Sequence, residues 1–155
     1  MFTWYHENSI EVNLSLQTAW NFHMSPNNWP KWMEEFESFD FEGVLKTGSN
    51  ISAKVKNKPV RMLISVVEVI PYRECKCLIK TPLFTQEALS IYQEISSGTT
   101  RITLKFCIVS FLAPFMKTFF LKKAEKTHLK LVNAFAGVRS PPLFSQGQSG
   151  SIQAK

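Results

Sequence analysis

The sequence predicts an α+β fold in which a curved antiparallel sheet of about seven strands wraps around one long C-terminal helix. Apolar residues recur at every second position over most of residues 2–110, which is typical of strands with one buried face. Short connectors that contain glycine or proline separate these segments, so successive strands are expected to pair antiparallel. A segment with helical spacing follows at residues 114–136 and is long enough to cover the apolar face of the sheet.

The first predicted strand covers residues 2–14, with Trp4, Ile10 and Val12 on one side. His6 and Asn8 lie on that same apolar side. Polar residues occupy most of the opposite side, so this strand is expected to be half-buried.

Two short helical segments are predicted next. Ser15 is a candidate N-cap for a helix that runs through Trp20 to His23. This helix should end before Pro26 because a residue that precedes proline avoids the α region. Residues 27–30 then predict a turn or a second short helix.

Six further strands are predicted from apolar patterns that lie between glycine and proline breaks. They cover residues 36–42, 50–56, 60–70, 74–80, 87–96 and 100–110. The last one alternates most clearly, with Ile102, Leu104, Phe106 and Ile108 on one side. In residues 60–70 both sides are apolar, so the pattern does not identify which side faces inward.

The long helix is predicted over residues 114–136, with Pro114 in its first turn and Gly137 as the C′ residue. Steps of three and four residues define a stripe that faces the sheet: Phe120, Ala124, Thr127, His128, Leu131, Ala134 and Phe135. This arrangement is a helix grip, and one helix cannot fill the concave side of several strands. Residues 1–137 are expected to form one domain, and residues 138–155 a disordered tail.

The composition argues against several classes of protein. The 155 residues are 45% hydrophobic and 19% charged, which suits one globular domain. Cys75, Cys77 and Cys107 lack the spacing of a zinc site, so neither a metal nor a cofactor is predicted. No segment resembles a membrane span or a signal peptide, so the cytoplasm is the expected location. The net charge of +6 comes without a nucleic-acid-binding motif, so no nucleic-acid partner is expected.

Several short motifs occur in a recognisable order along the chain. Ala19-Trp20, Ser25-Pro26 and Trp29-Pro30-Lys31-Trp32 are followed by Glu42-Gly43, Thr47-Gly48-Ser49, Glu68-Val69-Ile70-Pro71-Tyr72-Arg73 and Gly98-Thr99-Thr100-Arg101-Ile102-Thr103. Together they resemble the polyketide cyclase/dehydrase branch of the START-like superfamily, over most of residues 2–136. The resemblance implies a helix-grip fold. It implies no particular catalytic residue, because this fold hosts lipid carriers, hormone receptors and cyclases alike.

The first functional hypothesis is binding or transport of a hydrophobic small molecule, such as a lipid, an isoprenoid or a polyketide-like compound. The residues expected to line the cavity are Trp20, Trp29, Trp32, Tyr92, Phe106, Phe120, Ala124, His128, Leu131 and Phe135. An alternative is a cyclase or dehydratase that uses His128 or His6 as acid/base. A weaker alternative is a protein-interaction module that uses the two-sided apolar strand at residues 60–70, with the chain a monomer or a homodimer.

Each candidate also has a purely structural interpretation. The three tryptophans can pack the short helices against the sheet, and His128 can lie at the edge of the stripe and reach solvent. Basic residues cluster near Pro59 and on the outer side of the long helix: Lys54, Lys56, Lys58, Arg61, Lys122, Lys123, Lys126 and Lys130. These clusters predict either solvated faces or contact with an anionic membrane.

Overall fold

The computed structural model describes residues 1–139, which form a seven-stranded antiparallel sheet and a few helices. The strands are β1 (Phe2–Val12), β2 (Phe36–Asp40), β3 (Asn50–Val55), β4 (Arg61–Ile70), β5 (Glu74–Lys80), β6 (Phe84–Ser96) and β7 (Thr99–Ser110). The helices are α1 (Leu16–His23), a 3₁₀ helix (Pro26–Lys31) and α2 (Ala113–Ala136). The sheet order is β1-β7-β6-β5-β4-β3-β2. Almost all of the tail predicted at residues 138–155 lies outside the described residues.

The helix grip predicted from the sequence is confirmed. Helix α2 packs mainly against β1, with smaller contacts to β7 and to the 3₁₀ helix. Its side chains Phe120, Leu131 and Phe135 are buried, as the apolar stripe requires. Of the helices within residues 1–139, none has both the length and the hydropathy of a membrane-spanning segment.

The two helix ends differ in how well the sequence predicted them. Ser15 is the N-cap of α1, as predicted, and its Oγ accepts a hydrogen bond from the backbone N–H of Thr18 at 3.2 Å. Helix α2 ends at Ala136, as predicted, but Gly137 is its C-cap rather than the C′ residue, and its φ of −80° is helical. The backbone N–H of Val138 instead donates to the carbonyl of Phe135 at 3.0 Å, a tightened last turn that needs no glycine.

A β-bulge changes which side of β4 faces the core, and exposed residues such as Leu63 make the outer side apolar as well. Met62, Ile64 and Val66 face the core up to a register shift between Val66 and Glu68. After this shift Val69 takes over the inner face. The inner face therefore changes parity within one strand, which an alternation pattern cannot reveal.

The predicted boundaries of three strands are wrong by two or three residues. β2 ends at Asp40 rather than at residue 42. β6 begins at Phe84, three residues before the predicted start, because residues 84–86 pair with the last residues of β7. β1 ends at Val12 rather than at residue 14, since its pairing with β7 stops there. The last two boundaries are fixed by partner strands, which local pattern does not identify.

Candidate functional site

A trough lies between α2 and the concave face of the sheet, and we define its floor by β1, β7, β6 and β5. Cross-strand pairing arranges the floor into two central rows of side chains. One row is His6, Phe106, Ala88 and Cys77, and the next is Asn8, Leu104, Ser90 and Cys75. Apolar and small polar groups therefore alternate across the middle of the trough.

One end of the trough is closed by aromatic side chains from α1 and the 3₁₀ helix. The ring of Trp20 contacts Tyr92 edge-on at 4.9 Å between centroids. Phe22 links Trp32 on one side to Phe135 of α2 on the other, at 5.7 and 5.0 Å. These contacts bury the predicted ligand residues at this end in the hydrophobic core: Trp20, Trp29, Trp32, Tyr92, Leu131 and Phe135. The tryptophans thus hold the short helices against the sheet.

The opposite end is closed by a second, smaller aromatic cluster. The ring of Phe120 on α2 lies 6.0 Å from Trp4 of β1 and 6.1 Å from Phe84 of β6. Phe120 is buried, whereas Trp4 and Phe84 are half-buried. The two clusters are therefore caps at either end of the trough.

Between the two caps the side chains are less covered than in a packed core. Half-buried residues on the floor and on α2 are His6, Asn8, Cys77, Ala88, Ser90, Phe106, Ala124, Thr127 and His128. Inner positions of a fully packed sheet and helix pair are normally covered almost completely. The predicted ligand residues Phe106, Ala124 and His128 belong to this half-buried set.

Two polar groups on opposite walls of the trough are buried without a partner. Within residues 1–139, neither Oδ1 of Asn8 nor Nδ1 of His128 has a hydrogen-bond partner. The other end of the Asn8 amide is used, since its Nδ2 lies 3.3 Å from Nε2 of His6. Buried polar atoms in proteins are nearly always satisfied, so these two atoms are exceptions among the described side chains.

Helix and strand geometry places these two atoms at the same level of the trough. Phe120 stacks on Trp4, so both elements share a reference point. From Phe120 to His128 the helix rises about 12 Å, and from Trp4 to Asn8 the strand rises about 13 Å. His128 of α2 and Asn8 of β1 are therefore about equally far along their elements from the Trp4–Phe120 contact.

A separate polar pair is sealed inside the cap at the α1 end. His23 Nδ1 and the Tyr92 hydroxyl form a hydrogen bond, and both side chains are buried. Burial lowers the pKa of His23 to about 4, so its ring is neutral at pH 7. Burial also raises the pKa of Tyr92 well above its ordinary value. The pair is a neutral core hydrogen bond in this structure.

Neither Asn8 nor His23 was assigned to the site by sequence reasoning. The signal for Asn8 was its place on the apolar side of β1. The signal for His23 was its three-residue step from Trp20, which puts it on the buried face of α1. Its partner Tyr92 is 69 residues away in sequence, so the pair itself had no local signal.

The three cysteines are free thiols. Cys75 and Cys77 lie with their sulfur atoms 3.8 Å apart on the trough floor. The contact with Cys77, together with burial, raises the pKa of Cys75, so its thiol stays protonated. Cys107 lies on the outer face, opposite Tyr5 and Glu87. Within residues 1–139 no His, Cys, Asp and Glu side chains gather as a metal would require.

Two surface clefts lie at the rim of the fold. One of about 290 Å³ lies between the end of β1 and the end of α2, lined in part by Leu14 and Val132. The other, about 470 Å³, is lined by Ser15, Tyr72 and Glu94 among others. Glu94 is exposed there, so it does not join His128 or His6 as an acid/base partner.

Comparison with known proteins identifies relatives in structure alone: no family model and no curated protein matches this sequence. A START superfamily protein from Mycobacterium smegmatis has a TM-score of 0.65 at 16% identity, covering 86% of this chain and 94% of that one. The Zhui aromatase/cyclase from Streptomyces sp. R1128 has a TM-score of 0.68 at 10% identity, covering 88% and 93%. Norcoclaurine synthase from Thalictrum flavum, in complex with dopamine and hydroxybenzaldehyde, has a TM-score of 0.64 at 13% identity, covering 87% and 85%. The chain therefore has the helix-grip fold that its motifs implied.

Proposed function

We propose that this protein binds a hydrophobic small molecule in the trough, with an oxygen of that molecule between Asn8 and His128. The proposal rests on two buried atoms that have no hydrogen-bond partner within residues 1–139, Asn8 Oδ1 and His128 Nδ1. Half-buried apolar residues surround them. Binding sites for such molecules are mostly apolar and contain a few polar groups that fix orientation.

The hydrogen-bonding roles of the two residues narrow the chemistry of the ligand. An amide oxygen is an acceptor, so Asn8 Oδ1 calls for a donor on the ligand. Nδ1 of a neutral histidine donates or accepts according to its tautomer. A ligand hydroxyl satisfies both atoms, because it donates to Asn8 while it accepts from His128. A long-chain alcohol, an isoprenoid alcohol or a phenol meets this requirement.

The structural relatives support a small organic ligand. Norcoclaurine synthase was solved with dopamine and hydroxybenzaldehyde, two compounds that each combine an apolar ring with oxygen atoms. An aromatase/cyclase shares the same fold. At 10 to 16% identity these proteins support the class of ligand and leave its identity to experiment.

Native mass spectrometry of freshly purified protein, followed by organic extraction, tests the proposal. The Ala88→Trp variant fills the floor of the trough, whereas Leu89→Trp adds the same ring to the outer face of the same strand, between Lys76 and Lys105. We expect wild type and Leu89→Trp to retain an extractable hydroxylated apolar compound or to bind a long-chain alcohol. Ala88→Trp should lose it. Equal binding by both variants would contradict the trough as the site.

A second candidate function is acid/base catalysis of the cyclase or dehydratase kind. It is favoured by the uncommitted Nδ1 of His128, opposite a floor where Asn8 holds His6 in place. Within residues 1–139, the two central rows of the floor contain no carboxylate, so the histidines alone would move protons. Incubation with a poly-β-ketone analogue distinguishes the two functions. A cyclised product that His128→Asn abolishes without loss of binding would establish catalysis, and unchanged substrate would favour the carrier.

A further inference from the structure

An exposed apolar surface caps the molecule at the end of the trough near Trp4 and Phe120. We define this apolar tip by Phe2, Leu83, Phe111, Phe115 and Phe119. Phe115 is 88% exposed, Phe111 69% and Leu83 63%. At about 200 Å² per phenylalanine side chain, the four rings present roughly 500 Å² to solvent. The largest apolar patch on a protein surface is often about this size and is often functional.

The fold assembles the apolar tip from three distant parts of the chain. Phe2 of β1 and Phe84 of β6 both pair with Ser110, the last residue of β7. The Ser110 hydroxyl donates to the carbonyl of Leu83 at 2.8 Å and accepts from the N–H of Leu112 at 3.0 Å. Ser110 thus holds the connector before β6 next to the start of α2, where Phe115 and Phe119 project.

The charge around the apolar tip has one sign. Residues 1–6, 80–86 and 108–122, which form this end of the molecule, include no Asp or Glu. They include Lys80, Lys117 and Lys122, all exposed. Only anionic partners complement such a surface.

Lysines elsewhere on α2 are neutralised by acidic residues. Lys123 pairs with Glu35 at 2.8 Å, and Lys126 and Lys130 both pair with Glu34. Near the Pro59 turn, Lys54 pairs with Glu37 and Arg61 with Asp40. The outer face of α2 and the Pro59 turn are therefore weaker candidates for an anionic membrane than the apolar tip.

We propose that the apolar tip docks on the surface of an anionic lipid bilayer, with its phenylalanines in the headgroup region and Lys80, Lys117 and Lys122 on the phosphates. Aromatic side chains suit this interfacial layer, and each nearby lysine adds about fivefold in affinity. A second copy fits less well. Symmetric pairing of two tips would oppose identical lysines without a carboxylate between them.

The docking does not depend on the ligand in the trough. The two are nevertheless adjacent, because the ring of exposed Phe119 lies 5.8 Å from that of Phe120, which caps the trough. A bound membrane would thus face the Trp4, Phe84 and Phe120 cap directly.

Co-sedimentation with vesicles tests the docking. We expect the wild-type chain to bind vesicles of phosphatidylcholine and phosphatidylserine in equal amounts, and to bind pure phosphatidylcholine at least about tenfold more weakly. The double variant F111S/F115S should lose about tenfold or more in affinity for the mixed vesicles. Leu129→Ser is the matched control, since Leu129 is also exposed on α2 but lies far from the tip. It should bind as the wild type does.

Three results would overturn the docking proposal. The first is that the wild-type chain does not bind the mixed vesicles, and the second is that F111S/F115S binds them as tightly as the wild type. The third is that light scattering detects a dimer which F111S/F115S abolishes, while the wild type does not bind vesicles. Ala88→Trp separates this proposal from the trough. It should bind vesicles normally even though it loses the small molecule, so each proposal can fail without the other.

Discussion

The buried pair of His23 and Tyr92 gives the stability of this protein a specific pH dependence. The pKa of His23 is lowered from 6.5 to about 4 because the ring is buried. Between these two values the unfolded chain takes up a proton on His23 that the folded chain does not. The contribution of His23 to the free energy of unfolding therefore has its full value above about pH 6.5. It decreases as the pH falls towards 4.

The size of the effect follows from the interval between the two pKa values. At about 1.4 kcal/mol per pH unit, the loss between pH 6.5 and pH 4 is about 3 kcal/mol. This is a large share of the 5 to 15 kcal/mol, roughly, that stabilises a typical domain.

Urea denaturation at pH 7 and at pH 4 measures this loss in two variants. Tyr92→Phe removes the hydroxyl partner of His23 and should cost about 1 to 3 kcal/mol at pH 7, while it retains the titrating ring. His23→Asn removes the ring. We expect the pH-dependent loss to persist in Tyr92→Phe and to be smaller by about 3 kcal/mol in His23→Asn. Equal pH dependence in the two variants would refute the assignment to His23.

Three further substitutions test the packing and the trough. Asn8→Leu should stabilise the ligand-free protein by about 1 kcal/mol in urea, because it removes a buried acceptor that has no partner; a loss of stability would show that Oδ1 is satisfied. Leu131→Ala should cost about 2 to 5 kcal/mol, since Leu131 is buried between helix and sheet, whereas Leu129→Ala on the exposed side should change stability by less than about 0.5 kcal/mol. Glu34→Gln removes the partner of two α2 lysines yet should lower stability by less than about 1 kcal/mol, because the pairs are partly exposed; a melting point that falls steeply with this change would contradict that view.

Most of the fold was predictable because its signals are local. The alternation in β1 and β7, the Ser15 cap and the stripe on α2 each lie within one element. The errors occur where a distant partner decides the outcome. The start of β6 depends on β7, and the bulge at Val66 depends on pairing with β5.

The trough was predictable only in outline. The helical stripe includes His128, which is half-buried on α2. Its relation to Asn8 depends on how α2 lies along β1, which the sequence of neither element specifies. The tryptophan motif can be recognised in the sequence, but tertiary packing decides whether its rings line a cavity or fill the core. The apolar tip likewise exists only because Ser110 joins three chain segments.

An amide NMR titration of the full chain with a long-chain alcohol shows where a hydroxylated apolar molecule binds. We expect saturable shifts at Asn8, Cys77, Ala88, Phe106 and His128, between the two aromatic caps. We also expect the alkane of equal length to bind more weakly and to leave Asn8 and His128 less perturbed. Shifts confined to the apolar tip or to the rim clefts, with the middle of the trough unchanged, would contradict this expectation.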